Sequence, residues 1–232
     1  LSAAAPFRAG GRGGPDHYTD VPAGRLTLRN IADLYLFPNR ICAIRLSGSD
    51  VAEWLERSAS LFHRVHAGQA DQPLIDPDFP SYNFDVIGGL DWQIDLARPP
   101  RYAPDGRLAN AGSRRIFPPT HRGGPGERAQ GFVVGANSYR LSDCGMFAPV
   151  VSGRPVLLDG TSRTREVLRR YIARRRVLAP ESGTGWRFAP LPGTSVLFET
   201  SPAAAPQIDR LCRPVETVGL AANGFLQLRL HL

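Results

Sequence analysis

Residues 40–62, RICAIRLSGSDVAEWLERSASLF, change their hydrophobic period once, at Ser47-Gly48. That switch restricts the fold more than any other stretch. Before it, apolar and polar side chains alternate over 40–48 as along a β-strand. After it, Val51, Trp54, Leu55, Ala59 and Phe62 recur at helical spacing on one face. The pattern predicts a strand running directly into an amphipathic helix across 47–66, with Ser47 or Ser49 as the N-cap.

The rest of the chain mixes strands and helices. PSYNFDVIGGLDWQIDLARPP (80–100) reads as two short strands around a tight turn at Gly88-Gly89. SRRIF within the turn-rich 101–130 and GFVVGAN (131–137) read as further strands. SRTREVLRRYIARRR (162–176) reads as a helix with Val167, Leu168, Tyr171 and Ile172 inward among seven arginines. WRFAPL, TSVLFET and GFLQLRLHL read as late strands; in the last, Leu226, Leu228 and Leu230 alternate with polar residues. No strict βαβ rhythm and no internal repeat occurs, so the fold class read from the pattern is α+β. A chain of 232 residues suffices for a sizeable core, and the whole, 1–232, is read as a single domain.

Several function classes are disfavoured. No apolar run approaches the roughly 20 residues of a membrane span. The opening LSAAAPFRAGGRGGP lacks the apolar core of a secretory signal, and its missing Met predicts a piece cut from a longer precursor. The formal charge of +7 invites a nucleic-acid reading, but all 28 basic residues are Arg and none is Lys. Such one-sided usage, with 24 Gly and 21 Pro, points to a GC-rich coding bias. The arginine helix is therefore read as a solvated face, and no nucleic-acid polymer is expected as partner.

Bond-breaking chemistry is absent from the motifs. His63 and His66 stand three apart without a carboxylate at matching spacing and are read as surface histidines. No DxH, GNHE or GHxH motif occurs, so a dinuclear phosphoesterase site is not expected in this chain. Neither a GxSxG elbow nor a P-loop lysine is present. Cys42, Cys144 and Cys212 are far apart and form no CxxC; Cys144 is read as a packed or incidental thiol. GGRGGP reads either as a flexible linker or as a backbone nest for an anion.

Two aromatics invite a binding function. Phe37, in LYLFPNRI, precedes the 40–48 strand, with Pro38 stiffening the turn and Asn39 offering an amide donor and acceptor. Tyr139, in ANSYRL, follows the 131–137 strand. Each is read either as a core residue or as half of a clamp for a flat heterocycle; periodicity alone favours the core.

LTLRNIADLYLFPNRICAIRLSGSDVAEWLERSASLF, PSYNFDVIGGLDWQIDL and VVGANSYR together resemble the C-terminal domain of the bacterial 5'-nucleotidase family. The similarity runs from about residue 3 to 190. SYNFDVI and GGRGGPDHYTD resemble the branch of bifunctional 2',3'-cyclic-nucleotide 2'-phosphodiesterase/3'-nucleotidases. The resemblance implies a four-layer α/β/β/α sandwich. It implies a periplasmic protein whose N-terminal metallophosphoesterase domain, absent from this chain, holds divalent metal ions and hydrolyses nucleotides. No cofactor is implied within this chain. The role implied for it is to bind nucleosides and nucleotides such as adenosine and 3'-AMP and to present the phosphate to that partner domain. By position, Phe37 and Tyr139 match the two base-stacking aromatics and Asn39 a base-edge contact. Arg12, ahead of Arg8, matches an arginine kept near the substrate.

The sequence departs from the family pattern after Tyr139. Asp143-Cys144 stands where a Gly-Gly pair is usual, and Gly145 stands where 5'-nucleotidases carry a ribose-binding Asp. Asp143 is the candidate substitute for that contact. A free-standing nucleoside-binding module, or a structural remnant with a dead pocket, are the alternative readings.

Overall fold

The structure is a computed structural model describing residues 1–3, 9–121, 124–125, 131–142, 145–175, 177–179, 185–211 and 215–232, with the backbone alone for Arg12, Gly124 and Pro125. Its main elements are α1 (Leu28–Leu34), β1 (Arg40–Ser47), α2 (Gly48–Ser58), β2 (Gln72–Pro73), β3 (Asp85–Val86), β4 (Trp92–Ile94), β5 (Gly131–Asn137), α3 (Ser138–Leu141), β6 (Val156–Arg163), α4 (Thr164–Arg175), β7 (Trp186–Phe188), β8 (Ser195–Thr200), β9 (Val215–Leu220) and β10 (Leu226–His231).

Two sheets dominate this α+β sandwich. The first runs β5-β1-β6, antiparallel throughout. The second runs β9-β10-β8-β2, with only the β8–β2 pair parallel. The alternation read in the sequence puts Cys42, Ile44 and Leu46 of β1 into the interior and leaves Arg45 outside. Leu226, Leu228 and Leu230 are likewise buried along β10. Ile44, Leu46 and Val134 from the first sheet share one core with Val196 and Leu230 from the second and with Val51, Trp54 and Leu55 from α2. Trp54 stacks on Phe147 with ring centroids 4.7 Å apart.

The switch at Ser47-Gly48 is built as a capping box. Ser47 Oγ accepts from Asp50 N at 3.2 Å, and Asp50 Oδ2 accepts from Ser47 N at 2.8 Å. Ser47, not Ser49, is therefore the cap. Ser47→Ala is expected to cost about 1 kcal/mol in chemical denaturation.

The helix is shorter than its apolar pattern. α2 ends at Ser58, and Ala59–Leu61 form a 3₁₀ turn before Phe62 becomes extended. Ala59 and Phe62 are buried as expected, but from this turn. The physical reason is Arg115, whose guanidinium donates to the carbonyls of Ala59 (2.9 Å), Phe62 (2.6 Å) and His63 (2.7 Å). Those bonds satisfy the carbonyls a further helical turn would have used. Burial pulls the Arg115 pKa down to about 10, while Glu56 and Asp95 oppose the shift. Glu56 in turn accepts from the backbone N–H groups of Arg115 (3.1 Å) and Ile116 (3.0 Å). SRRIF is thus a segment pinned to α2, joined to β4 by a single Ile94–Ile116 bridge.

The two short strands form on either side of the Gly88-Gly89 turn as expected, β3 pairing with Ser2–Ala3 and β4 lying parallel to β7. Two further expectations change. Tyr171, expected inward, is exposed beneath the Arg175 guanidinium, 5.4 Å from its ring centroid. GGRGGP is tied down: Gly10 N donates to His17 C=O at 2.8 Å, and Ala9 C=O accepts from Ser201 N and Thr200 Oγ1.

Candidate functional site

β1 and β5 pair in register from Ser47↔Gly131 to Ile41↔Asn137. Continuing that register two residues sets Asn39 across from Tyr139. The loops carrying Phe37 and Tyr139 thus leave the same end of one antiparallel pair. Arg40 N donates to Ser138 Oγ at 3.1 Å, which extends the pairing past the last ladder residue. Phe37 is 42% and Tyr139 47% exposed, so neither belongs to the core.

Polar groups beneath the rings join the two loops. The Tyr35 hydroxyl accepts from Asn39 Nδ2 at 3.1 Å and from Asn137 Nδ2 at 3.2 Å. The Tyr35 ring meets Phe37 edge-on at 6.4 Å. Thr164, the first residue of α4, donates through N (2.7 Å) and Oγ1 (2.9 Å) to Asn39 C=O. The start of β1, the ends of α1 and β5, and the start of α4 therefore converge at this end of the sheet.

Tyr139 is mounted on a buried ion pair. Asn137 caps α3, its side chain accepting from Arg140 N at 3.0 Å. Arg140 then points inward to Asp85, with Nε–Oδ2 at 2.8 Å and Nη2–Oδ1 at 2.9 Å. It also donates to Asn83 Oδ1 (2.9 Å) and to Tyr82 C=O. Asp85 accepts from Trp54 Nε1 at 3.0 Å and, through its backbone N–H, donates to Ser58 Oγ at 3.3 Å. Burial pushes the Asp85 carboxyl above the ordinary range, and Arg140 and Trp54 oppose it. The Arg140 guanidinium lies 5.4 Å from the Tyr139 ring centroid and 5.0 Å from that of Phe147. The aromatic that follows this strand is thus half-exposed, while the guanidinium beside it is buried.

The structure brings Phe37, Asn39 and Tyr139 together at one sheet end. Arg12 lies on the 3₁₀ turn Gly11–Gly13, whose arm is fastened to Thr200 and Ser201 beside the other sheet. The Arg12 side chain, Arg8, Asp143, Cys144 and Cys212 lie outside the described residues. Gly145 has φ 74°, a conformation an aspartate at that position would adopt only at a cost. Reading the sequence missed Tyr35, Asn137 and the Asp85–Arg140 pair. An N-cap asparagine ahead of SYRL was a legible signal for Asn137. Nothing local links residues 85 and 140.

Among the described residues, reactive groups do not gather here. Burial pushes the Cys42 thiol up, and its hydrogen bond to Asp159 adds to that, so it is held neutral and is a poor nucleophile. Among the described residues no group of three His, Cys, Asp or Glu side chains is placed to hold a metal ion. No helix among them is long and apolar enough to cross a membrane. The arginines of α4 pair in part with their own helix: Glu166 meets Arg169 at 2.7 Å and Arg170 at 3.7 Å.

Comparison with known proteins gives this arrangement a family. The chain is 40% identical over 224 residues to the trifunctional nucleotide phosphoesterase protein YfkN of Bacillus subtilis, covering 96% of this chain and 15% of that protein. It is 36% identical over 245 residues to the 2',3'-cyclic-nucleotide 2'-phosphodiesterase/3'-nucleotidase of Haemophilus influenzae, covering 100% of this chain and 37% of that one. The chain therefore spans well under half the length of these relatives. The NAD nucleotidase structure from Haemophilus influenzae superposes with a TM-score of 0.54 at 15% identity, over 74% of this chain and 28% of that one, which shows the shared fold. The family model for the 5'-nucleotidase C-terminal domain matches residues 7–152, a stretch holding β1, α2, β5, Phe37 and Tyr139, and the chain belongs to that family.

Proposed function

We propose that this chain is the nucleoside-binding domain of a 2',3'-cyclic-nucleotide 2'-phosphodiesterase/3'-nucleotidase. The carrying observation is the pair of half-exposed aromatics, Phe37 and Tyr139, at one end of the β1–β5 pair in a member of this family. A base stacks between the two rings, and Asn39 contacts its edge. Stacking is sequence-tolerant because every base has a π-face, and each contact contributes about 1–3 kcal/mol. Arg12 and Asp143 are the further substrate contacts of this reading.

The rest of the protein supplies the chemistry. Relatives several times longer than this chain carry phosphoesterase names, and the described residues hold no metal-binding cluster. In this reading divalent metal ions belong to an N-terminal catalytic domain, located with this one in the periplasm. This chain's own work is positional: it fixes the nucleoside so that the phosphate reaches the catalytic groups in a productive orientation. Isothermal titration of the chain with adenosine and with 3'-AMP, without metal, tests the reading. Saturable binding in the micromolar-to-millimolar range with no release of phosphate is expected. Phosphate release by the chain alone, or no heat with either ligand, contradicts it.

A further inference from the structure

We infer that Tyr35 is a positioning residue of this site: its hydroxyl sets which way the Asn39 amide points, and so selects bases that present an N–H donor. The inference rests on the nucleoside-binding reading above.

The backbone of Asn39 is already fixed, because its carbonyl accepts from both Thr164 N and Thr164 Oγ1. What remains free is rotation of the side-chain amide, whose two branches offer opposite chemistry, a donor and an acceptor. Tyr35 engages the donor branch, Nδ2, at 3.1 Å. The acceptor branch, Oδ1, lies on the other side of the amide and has no hydrogen-bond partner among the described residues.

The second loop holds the phenol in place. Asn137 Oδ1 is occupied by Arg140 N, which leaves Asn137 Nδ2 to reach the Tyr35 oxygen at 3.2 Å. The polarity of that contact follows from the cap, since a backbone N–H requires the oxygen branch. Arg140 is anchored in turn by Asp85. A chain of contacts thus runs from the buried ion pair through Asn137, two residues before Tyr139, and Tyr35 to Asn39, two residues after Phe37. Tyr35 touches both loops, and its ring abuts Phe37.

An acceptor at the base edge calls for a donor on the ligand. Adenine and cytosine supply an exocyclic amine, and guanine and uracil supply a ring N–H. The site therefore takes all four common bases and disfavours a base whose edge lacks a donor. Purine riboside, which has no 6-amino group, is the probe for this distinction.

The test is titration of the wild-type chain, Tyr35→Phe and Tyr139→Ala with adenosine and purine riboside. Wild type is expected to bind adenosine about five- to tenfold tighter, the size of one net hydrogen bond. In Tyr35→Phe the ring remains against Phe37 but the amide is released, and the preference is expected to fall below about twofold while the thermal midpoint drops by only a few degrees. A general loss of packing would weaken both ligands and keep their ratio. Saturable adenosine binding that Tyr139→Ala weakens at least about fivefold, with the same preference in Tyr35→Phe as in wild type, overturns the inference and leaves the nucleoside-binding reading standing. Equal binding of the two ligands by wild type also overturns it. No binding of either ligand by wild type overturns the reading beneath it, and the inference with it.

Discussion

Arg140→Ala is expected to lower the unfolding free energy by about 3–5 kcal/mol, because it strands a carboxylate in the interior. Asp85 has no exposed surface, and its charge is met by Arg140 through two contacts of 2.8 and 2.9 Å. Removing the guanidinium also leaves Tyr82 C=O and Asn83 Oδ1 without this donor. Changing both partners, Asp85→Leu with Arg140→Met, is expected to recover part of the loss, since a matched apolar pair removes the desolvation cost. Recovery stays incomplete because Trp54 Nε1 would lose its acceptor. Urea denaturation at neutral pH measures both variants as a shift in midpoint at an unchanged slope. A loss below about 1 kcal/mol for Arg140→Ala contradicts this account of the pair.

Phe37→Ala and Tyr139→Ala are each expected to weaken adenosine binding by about 1–3 kcal/mol, roughly five- to 150-fold, with small effects on stability. Both rings are half-exposed at the end of the sheet, so truncation opens no interior cavity. Tyr139→Phe keeps the π-face and is expected to retain most of the affinity. The double alanine variant need not show the sum of the single losses, because both rings address the same base. Calorimetric titration reads the affinities, and thermal melting of the same samples separates a binding defect from unfolding. Wild-type affinity in both single variants contradicts a stacking role.

What could be read in the sequence was what depends on near neighbours. The change of period at Ser47-Gly48 identified β1, α2 and the buried face with Val51, Trp54 and Leu55, because one run of side chains determines both elements. The same holds for β10, whose alternating leucines are buried. Phe37, Asn39 and Tyr139 were legible as candidates because their loops adjoin recognisable strands; that they share one end of a sheet is a matter of register across about 100 residues. Contacts made at long range were not legible. The helix pattern continued through Phe62, yet Arg115, from a distant turn-rich segment, takes the carbonyls and ends α2 early. Asp85 and Arg140 look like ordinary polar residues of a strand and a loop until folding brings them together in the core. Tyr35 reads as one more aromatic, although its hydroxyl joins two loops. Arg12 was a candidate by position in a glycine-rich arm, and the fastening of that arm beside the second sheet is tertiary information.

The most direct test of the central claim is a crystal structure of this chain with adenosine or 3'-AMP bound. The account predicts the base between the Phe37 and Tyr139 rings, with Asn39 Oδ1 accepting from an N–H of the base and the ribose directed away from the sheet. A nucleoside held elsewhere on the chain, with both rings facing solvent, would contradict it.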